Sequence, residues 1–528
     1  MRTLYTTLAS LGLLAAAGTM YLTGCSNDAA DCTLSFEPCD GRDGGGTSGG
    51  GEPPPGCEKS PKEDASVIKD ECGIFVSASA AAEGNGTREK PFATLTEAVA
   101  AAQEKEIFRV YACAETYAEA ATFEGVSLFG GFDCGAEWRY IGYPDKRATI
   151  APADGVPLRV SGGGDLMVED VVAQAPDYAG AAPAALTAGK SSIAAIVDAA
   201  TVAFSRCFFD ARNGQNGAPG ESLGADPSLD GVKGSDGLDA CKGNLISGAP
   251  GGAAVPKACG AETTVGGKGG DGGLLQAGNP PTLLAAGDGA DGEPAGSGGQ
   301  KGTGEPAGGG ACTSGQIGQD GDAGGPGKGA MTSGKIDMAT YQPASGEAGT
   351  SGKPGQGGGG GGGARGGTGI CAGQPGTGAS GGSGGSGGCG GKGGGGGFGG
   401  GASIALISFN ATIILTDCEL KALAGGNGGA GGTGQPGGSG GAGGDRGSAV
   451  GGSKNACIGG DGGTGGPGGP GGGGAGGPSI GIAHVGAQPE LGSNVTIMEG
   501  AGGLGGKDGT GSDANKGANG APGKIVEF

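Results

Sequence analysis

Apolar residues occur along this chain in short runs that are separated by Gly, Pro and Asp. Between residues 107 and 172 these runs cover 107–113, 126–132, 148–151, 158–160 and 166–172, and no amphipathic helix pattern lies between them. Short strands joined by turns are typical of a β-sandwich or of a β-helix. The pattern therefore predicts an all-β fold and leaves those two architectures open.

One helix is predicted ahead of these runs, over residues 95–105. Thr94 is placed to cap its N-terminus, and Glu97, three residues on, completes a capping box. The preceding stretch reads GNGTREKPFATL from Gly84 to Leu95. It resembles the start of right-handed parallel β-helix domains of the pectin-lyase-like superfamily, where G-x-G-T-x-x-x-P-F-x-T-[IL] precedes a helix that covers the open first turn. The resemblance implies a capped β-helix, because an exposed parallel edge would recruit other chains.

An internal repeat decides between the two architectures. Residues 192–207 match residues 403–418 at a constant offset of 211, the distance from Ser192 to Ser403 and from Cys207 to Cys418. A looser third copy covers 479–497. Repeats that cannot bury an apolar face alone must stack on one another. The sequence therefore predicts a parallel β-helix (solenoid) in which these copies are neighbouring rungs.

Glycine makes up 139 of the 528 residues, and each repeat copy runs into Gly-rich sequence. Gly-Gly-X triplets run from Gly425 to Asp445 and return from Gly459 to Gly477. Such triplets suit a threefold extended helix without internal hydrogen bonds, two of whose faces are bare backbone. This resembles polyglycine II and the glycine-rich bundles of certain phage-tail adhesins and of a glycine-rich antifreeze protein. The tracts are predicted to be insertions that form extended arms, with a polar turn at 446–458.

Two other interpretations of the tracts stay open. A collagen triple helix also needs Gly at every third position, but the 29 prolines and breaks such as 357–363 argue against it. Disorder is compatible with the same composition. The first tract is the least determined, since its triplet phase is broken in several places.

The first 24 residues form an apolar stretch behind a single Arg2, as in a secretory signal peptide. Residues 22–25 (LTGC) resemble the lipobox of bacterial lipoproteins. That resemblance implies lipidation of Cys25 and an anchor in a membrane, with Ser26 favouring the outer membrane and exposure at the cell surface. The Gly- and Pro-rich stretch up to residue 71 is predicted to be a flexible tether.

Apart from Cys25 there are 14 cysteines, an even number in an exported chain, so disulfides are expected and their pairing stays open. Cys207 and Cys418 occupy equivalent rung positions, either bridged or as buried thiols. No Cys-x-x-Cys pair occurs and His484 is the single histidine, so no metal site and no cofactor are predicted. The candidate disulfide cysteines are Cys32, Cys39, Cys57, Cys72, Cys113, Cys134, Cys241, Cys259, Cys312, Cys371, Cys389 and Cys457.

Together these features predict an order of segments along the chain. They are a signal peptide (1–24), a lipidated cysteine and tether (25–71), a capping helix with the first rungs (72–212), Gly-rich insertion 1 (213–401), a rung (402–424), Gly-rich insertion 2 (425–477), a rung (478–500), and a Gly-rich tail with a terminal strand (501–528).

The net charge of −21 argues against binding to nucleic acid. In the predicted β-helix, which we call the trunk, Asp165, Glu169 and Asp170 form the cluster that comes nearest to the paired carboxylates of sugar-cleaving enzymes. Strand alternation would place the first two on one face and Asp170 on the other, as on a solvated rim. No sugar-enzyme motif occurs, and no catalytic residue is assigned.

The predicted function is that of a lipid-anchored structural or adhesive surface protein, whose candidate partners are an extracellular polysaccharide, a matrix component or a cell-surface protein. Residues 446–455 are the candidate contact. The alternatives are a carbohydrate-active enzyme, lyase or hydrolase, on the same trunk, and ice binding by a flat glycine-rich face.

Overall fold

The computed structural model describes residues 53–81, 83–243, 248–276, 282–372 and 374–528. These residues belong to one unit that begins at Ser48. The predicted signal peptide, the predicted lipidation site Cys25, and Cys32 and Cys39 lie outside the described residues. Within the described ranges, no helix has the length and apolarity needed to cross a membrane.

Most regular elements are short strands. Before the first Gly-rich tract they are β1 (Ile74–Val76), β2 (Arg109–Cys113), β3 (Thr116–Tyr117), β4 (Ala121–Glu124), β5 (Ser127–Asp133), β6 (Arg139–Tyr140), β7 (Ala148–Ile150), β8 (Leu158–Ser161), β9 (Asp165–Glu169), β10 (Val171–Gln174), β11 (Ser192–Asp198), β12 (Thr201–Ser205) and β13 (Phe208–Asp210). Four small antiparallel pairs lie within that tract: β14 (Val255–Cys259) with β15 (Glu262–Gly266), β16 (Leu275–Gln276) with β17 (Thr282–Leu283), β18 (Gly334–Asp337) with β19 (Thr340–Pro343), and β20 (Gly367–Cys371) with β21 (Gln374–Gly376).

The remaining strands follow the first tract: β22 (Ser403–Phe409), β23 (Thr412–Thr416), β24 (Glu419–Lys421), β25 (Ser479–Val485), β26 (Glu490–Leu491), β27 (Thr496–Met498) and β28 (Pro522–Glu527). Among the described residues, the α-helix is α1 (Leu95–Glu104), and 3-10 turns cover Ala65–Val67, Cys134–Ala136 and Pro227–Leu229.

The strands outside the small pairs form three sheets. Sheet A has the order β1-β2-β5-β9-β12-β23-β26, sheet B β27-β24-β13-β10-β7-β3, and sheet C β28-β25-β22-β11-β8-β4. All neighbours are parallel except β6, which pairs antiparallel with β5. From β2 onward the chain visits sheets A, B and C in that cyclic order. This arrangement is compatible with a parallel β-helix.

The offset of the sequence repeat equals the offset between paired residues of neighbouring strands in these sheets. Ser192 pairs with Ser403 and Thr201 with Thr412, at the offset seen in the sequence. The third copy continues the stack, since Ser403 pairs with Ser479. The repeats therefore lie side by side as predicted.

One predicted strand, 166–172, is divided in the structure. Asp170 takes a left-handed conformation (φ 54°), so β9 belongs to sheet A and β10 to sheet B. Arg206, Asp417 and Asn494 take the same conformation at the equivalent corner. A single left-handed residue turns the chain there, and no Gly or Pro marks this corner in the sequence.

The inward faces of the three sheets form one apolar core that includes Phe123, Leu128, Phe204 and Leu406. Helix α1 forms where it was predicted, with Thr94 Oγ1 accepting the Glu97 N–H at 3.2 Å. The helix packs against β1, β2 and β4 and buries Leu95 in this core. It therefore lies on the first strands of sheets A and C.

The outer face of sheet C carries a second apolar cluster, built from Ile196, Ile404, Ile407 and neighbouring residues. The β18–β19 hairpin of the first Gly-rich tract packs Tyr341 against it. The first tract is thereby attached to the trunk along a face of the sheet as well as at its two ends.

Candidate functional site in the glycine-rich tracts

All three Gly-rich segments leave and rejoin the sheets at the same corner. Each begins after a strand of sheet B (β13, β24 or β27) and ends before a strand of sheet C (β22, β25 or β28). Because these strands are neighbours within their sheets, the tracts start side by side. We call the described residues of 213–401, 425–477 and 501–521 the bundle.

Burial in the bundle follows the triplets. Along 425–445 each first residue is half-buried, each second is buried and each third is exposed, as for Gly428, Gly429 and Ala430. The first two residues donate backbone hydrogen bonds to different neighbours: Gly428 to Leu504 O and Gly429 to Phe398 O, both at 2.8 Å. The period of three in the sequence is thus a period of three in contacts.

The second tract folds back on itself. Gly459 N–H donates to Gly444 O, and the pairing continues every three residues to Gly477 N–H and Gly426 O. The outward arm 425–447 and the return arm 457–477 are therefore antiparallel neighbours, with the turn between them at the end far from the trunk.

The return arm of the first tract, 376–401, lies in the centre of the bundle. Its residues 381–385 exchange backbone hydrogen bonds with six other segments. The partners are Ser235, Gly252, Gly267, Gly358, Gly444 and Gly460. The glycine positions leave no room for a side chain, since a Cβ on Gly384 would lie 1.9 Å from the Gly358 carbonyl oxygen. The buried Ser383 is accommodated, and its hydroxyl accepts the Ser235 N–H at 2.7 Å.

In some triplets the third residue is also glycine, and the number of segments packed around the arm explains where this occurs. On one face of arm 346–364, Ala348 and Ser351 are exposed, whereas Gly357 and Gly360 are buried. The two glycines donate to Glu293 O and Ala290 O of an additional segment. The run 357–363, which looked like an interruption in the sequence, is the part of the arm that has neighbours on every side.

The return arm of the second tract follows the same rule. Its outward positions Asp461 and Thr464 are exposed, but Gly473 and Gly476 are buried. The tail covers those two glycines, which donate to Asn515 O and Ala518 O. In these two arms, side chains thus occupy outward positions and glycine occupies covered ones, whereas the central arm carries the buried serines Ser380, Ser383 and Ser386 at every third position.

Many exposed third residues have a structural task that sequence reasoning missed. Their side-chain oxygens accept the N–H of the third residue on the next arm: Asp230 accepts from Ser439 at 2.8 Å, Asp236 from Asp445 at 2.9 Å, and Asp320 from Thr464 at 2.7 Å. The Asp445 N–H, with Lys233, lowers the pKa of Asp236. The recurrence of Asp, Asn, Ser and Thr at every third position was the available signal.

Disulfides tie the bundle together where arms reverse. Cys241 pairs with Cys371 and Cys312 with Cys457 at the end far from the trunk, and Cys259 at the β14–β15 turn pairs with Cys389. Two more bridges, Cys57–Cys72 and Cys113–Cys134, lie in the trunk. Ten of the twelve candidate cysteines are therefore bridged, and the other two lie outside the described residues.

The far end of the bundle is formed by residues 240–243, 305–312, 367–372 and 446–456, which we call the tip. Lys454 Nζ lies 2.9 Å from Glu305 Oε1 and donates to Gly310 O. Burial opposes ionisation of Glu305, which is 3% exposed, but the Arg365 N–H and Lys454 lower its pKa. This ion pair joins the turn of the second tract to a turn of the first, and leaves Arg446 and Val450 exposed.

The carboxylates considered for catalysis are not on a solvated rim, so that expectation was wrong. Asp165 is exposed, but Glu169 is 7% and Asp170 0% exposed. Both bind Arg206, whose Nη2 lies 2.6 Å from Glu169 Oε2 and 3.0 Å from Asp170 Oδ2. The corner that separates β9 from β10 buries Asp170, and Tyr140 Oη donates to it at 2.6 Å.

Asp165 and Glu169 also do not form a pair. They are four residues apart on one strand, a separation of roughly 13 Å, which exceeds the spacing of paired carboxylates in glycoside hydrolysis. Glu169 and Asp170 instead hold a corner of the trunk.

Cys207 and Cys418 are free and buried. The Cys207 N–H lies 3.5 Å from Cys418 Sγ, so the equivalent rung positions are in contact. Burial in the apolar core raises the pKa of the Cys207 thiol, which keeps it protonated. His484 is mostly buried, with Nδ1 3.1 Å from Gly486 O.

Comparison with known proteins adds little to this geometry. No protein-family model and no curated protein matches the chain. One solved structure with some similarity is a rhamnogalacturonan lyase, at 14% identity, over 28% of this chain and 46% of that chain, with a TM-score of 0.12. The chain spans less than half of that structure, and a similarity of this size carries no argument.

Proposed function

We propose that the protein is a lipid-anchored cell-surface protein of structural or adhesive function, which presents the glycine-rich bundle from a β-helix trunk. The trunk would be a closed right-handed parallel β-helix, and the arms would adopt a polyglycine II-like conformation. The three-residue hydrogen-bond period and the cyclic order of the sheets support these finer assignments.

The cross-linked tip is the observation that carries the proposal. Glycine loses more conformational entropy on ordering than any other residue, so a glycine-rich arm would present a poorly ordered end. The Cys312–Cys457 disulfide and the Lys454–Glu305 pair join the turns of the two tracts, and the Cys241–Cys371 disulfide joins two turns of the first tract. Pre-organised binding surfaces lose less entropy when they bind, and such an end is suited to contacting a partner.

Adhesion of beads coated with the residue 53–528 ectodomain to whole cells or matrix tests this proposal. We expect the variant Arg446→Ala/Val450→Ala/Ile458→Ala to bind at least several-fold less, because it removes three exposed side chains at or beside the tip. The control, Thr433→Ala/Ala442→Ser, changes exposed positions in the middle of the same arm and should bind normally. Equal adhesion of all three proteins would refute the tip as the contact.

The anchor and its location form a separate part of the proposal. Five disulfides fit an oxidising compartment. Labelling cells with an alkyne fatty acid should mark the full-length chain, and Cys25→Ser should abolish the label and release the protein from the membrane fraction. Label retained by Cys25→Ser would exclude this cysteine as the anchor.

A further inference from the structure

The two arms of the second tract border a groove on the side of the bundle where the tail (501–521) lies. Near the trunk the tail fills this groove. Every third residue of the outward arm donates a backbone hydrogen bond to it at 2.8 to 2.9 Å, in the pairs Gly425 to Ala501 O, Gly428 to Leu504 O and Gly431 to Lys507 O. The tail donates to the return arm in the pairs Gly503 to Gly477 O, Gly506 to Gly474 O and Gly509 to Gly471 O. The tail is therefore paired with both arms.

The tail leaves this groove at a turn that Asp508 holds. Its Oδ1 accepts the N–H of Thr510 at 3.0 Å and that of Ser512 at 2.9 Å, and Gly511 takes a left-handed conformation (φ 79°). The chain then returns to the trunk as residues 515–521. Beyond this turn the two arms of the second tract continue side by side without the tail between them.

Past the turn, the backbone groups at the equivalent positions of both arms have no partner among the described residues. On the outward arm, the unpaired donors are the N–H groups of Gly434, Gly437 and Gly440. On the return arm, the unpaired acceptors are the carbonyl oxygens of Gly462, Gly465 and Gly468. Five of these six glycines are half-buried and Gly465 is buried, whereas all residues of 471–477, which the tail covers, are buried. The groove thus continues, open to solvent, with a row of donors facing a row of acceptors.

Several other edges of the bundle are closed by the chain itself. On the neighbouring face of the return arm, Pro467 and Pro470 have no N–H to offer, and Asp320 accepts the N–H of Thr464. At the far end of the groove, Asp461 Oδ1 accepts the Gly443 N–H at 2.8 Å. The stretch 434–440, which is roughly 19 Å long at about 3.1 Å per residue, has no such cap.

We propose that this groove, between residues 434–440 and 462–468, binds an extended Gly-Gly-X segment of another protein chain. The segment continues the pairing of the tail: its carbonyl oxygens accept from the outward arm, and its N–H groups donate to the return arm. Rows of unpaired N–H and C=O groups act as templates for a further extended chain, and main-chain hydrogen bonds then supply the affinity. The proposal does not depend on the tip.

The tail shows which sequence the groove accepts. A Cβ on Gly503 would lie 2.0 Å from Gly426 O, and one on Gly506 would lie 1.9 Å from Gly429 O. Leu504, between them, is exposed. The groove therefore requires glycine at every third residue of its occupant and allows a side chain on the solvent side, and Gly-Gly-X segments also suit the extended threefold conformation.

Titration of the ¹⁵N-labelled residue 53–528 ectodomain with a Lys-flanked (Gly-Gly-Asn)₄ peptide tests the groove by NMR. We expect the amide signals of Gly434, Gly437 and Gly440 to shift and their solvent exchange to slow, because these N–H groups gain acceptors. A (Gly-Asn)₆ peptide with the same flanks should bind about tenfold more weakly or less, because its alternation places Asn where every third residue must be glycine.

Thr464→Asp/Pro467→Asp closes the groove without altering the packed interior. Both residues are exposed and lie three and six positions after Asp461. Their carboxylates should therefore accept the N–H groups of Gly440 and Gly437, as Asp461 accepts that of Gly443. Because two of the three donors are then occupied, affinity for (Gly-Gly-Asn)₄ should fall about tenfold or more.

Pro219→Asp/Ser222→Asp is the matched control, since it replaces a proline and a hydroxyl residue by two carboxylates on the opposite side of the outward arm. Both residues are exposed there, and Ser222 Oγ accepts the Thr433 N–H at 3.0 Å, a bond that Asp can also make. This variant should bind the peptide normally. The tip variant Arg446→Ala/Val450→Ala/Ile458→Ala should also bind it normally, which separates the groove from adhesion by the tip.

The proposal is overturned if excess (Gly-Gly-Asn)₄ leaves the three groove amides unshifted, or if (Gly-Asn)₆ binds as tightly. It is also overturned if Thr464→Asp/Pro467→Asp keeps full affinity while Gly429 and Gly432 remain protected from exchange. Shifts of the same amides that depend on protein concentration, without peptide, would identify a second copy of this chain as the occupant and would equally exclude the stated partner.

Discussion

The trunk and the bundle are packed on opposite principles. In the trunk, side chains such as Phe204, Ile413 and Leu406 fill the space between three sheets. In the bundle, carbonyl oxygens and amides of neighbouring arms are in contact, and the side chains in the centre around Gly384 are small serines whose hydroxyls accept backbone N–H groups. The two parts alternate along the chain and meet at the corner between sheets B and C.

This difference predicts that the trunk and the bundle tolerate changes in side-chain size differently. A side-chain core tolerates the loss of a methylene at moderate cost because neighbours relax partly. A backbone core has no rotamers with which to absorb an added methyl group, so one extra carbon must displace a whole arm. The bundle also has little hydrophobic burial to offset the entropy lost by its glycines, which accounts for three of the five disulfides lying in it.

The largest expected effect concerns amide exchange. Buried, hydrogen-bonded glycines such as Gly429 and Gly432 should exchange orders of magnitude more slowly than exposed Ala430, whose N–H has no backbone acceptor among the described residues. Residue-resolved exchange by NMR measures this. Uniformly fast exchange across 425–445 would favour the disordered alternative. Protection of only one glycine in each triplet, in a protein that is an obligate trimer, would favour a collagen triple helix.

Gly384→Ala should be the most damaging single substitution. Its Cβ would lie 1.9 Å from Gly358 O, so we expect destabilisation of the bundle at or above the upper end of the roughly 1–3 kcal/mol typical of overpacking. Gly325→Ala is the control, because that Cβ meets only Thr350 Oγ1 at 3.5 Å. Thermal unfolding should show a large shift for the first variant and almost none for the second.

Removal of one tip disulfide should have a comparable cost in free energy but a more local effect. Cys312→Ser/Cys457→Ser should cost about 2–4 kcal/mol and raise exchange in 446–456 and 305–312. The same change at Cys113–Cys134 should affect the trunk and leave the tip protected. If both double variants loosened the same peptides, trunk and bundle would be one cooperative unit instead of two.

Ile413→Val tests the side-chain core by removing one methylene group from a buried residue of β23. We expect a cost of about 0.5–1.5 kcal/mol, measured by chemical denaturation. A loss as large as that caused by Gly384→Ala would contradict the contrast in tolerance between the two regions.

The smallest effect is on pH dependence. Because the folded pKa of Asp236 is lowered, its contribution to stability is complete above its unfolded pKa of about 3.9 and is lost as the pH falls through the lower folded value. Exchange at the Asp445 amide should therefore rise, relative to intrinsic rates, only below about pH 4. Asp236→Asn keeps the acceptor oxygen and should remove this pH dependence; an unchanged pH profile in that variant would exclude Asp236 as its source.

Much of the trunk and one turn of the bundle could be predicted from local signals. The helix at Leu95–Glu104, the pairing of Ser192 with Ser403 and the turn between residues 445 and 459 follow from a capping box, a constant offset and a triplet phase. The corner at Asp170 could not be predicted, because its left-handed conformation is held by Arg206 and Tyr140, which lie far away in the sequence. The same contacts decided that Glu169 and Asp170 are buried.

By itself, the sequence determined the repeat unit, the all-β character and the places where glycine replaces side chains, since each depends on spacing along one segment. Only the tertiary structure decided which arms are neighbours, which cysteines pair and that Arg206 pairs with both Glu169 and Asp170. Those properties depend on contacts between residues up to about two hundred positions apart. The triplet pattern of the sequence indicates that a glycine is covered by neighbouring arms, but it does not indicate which arms these are.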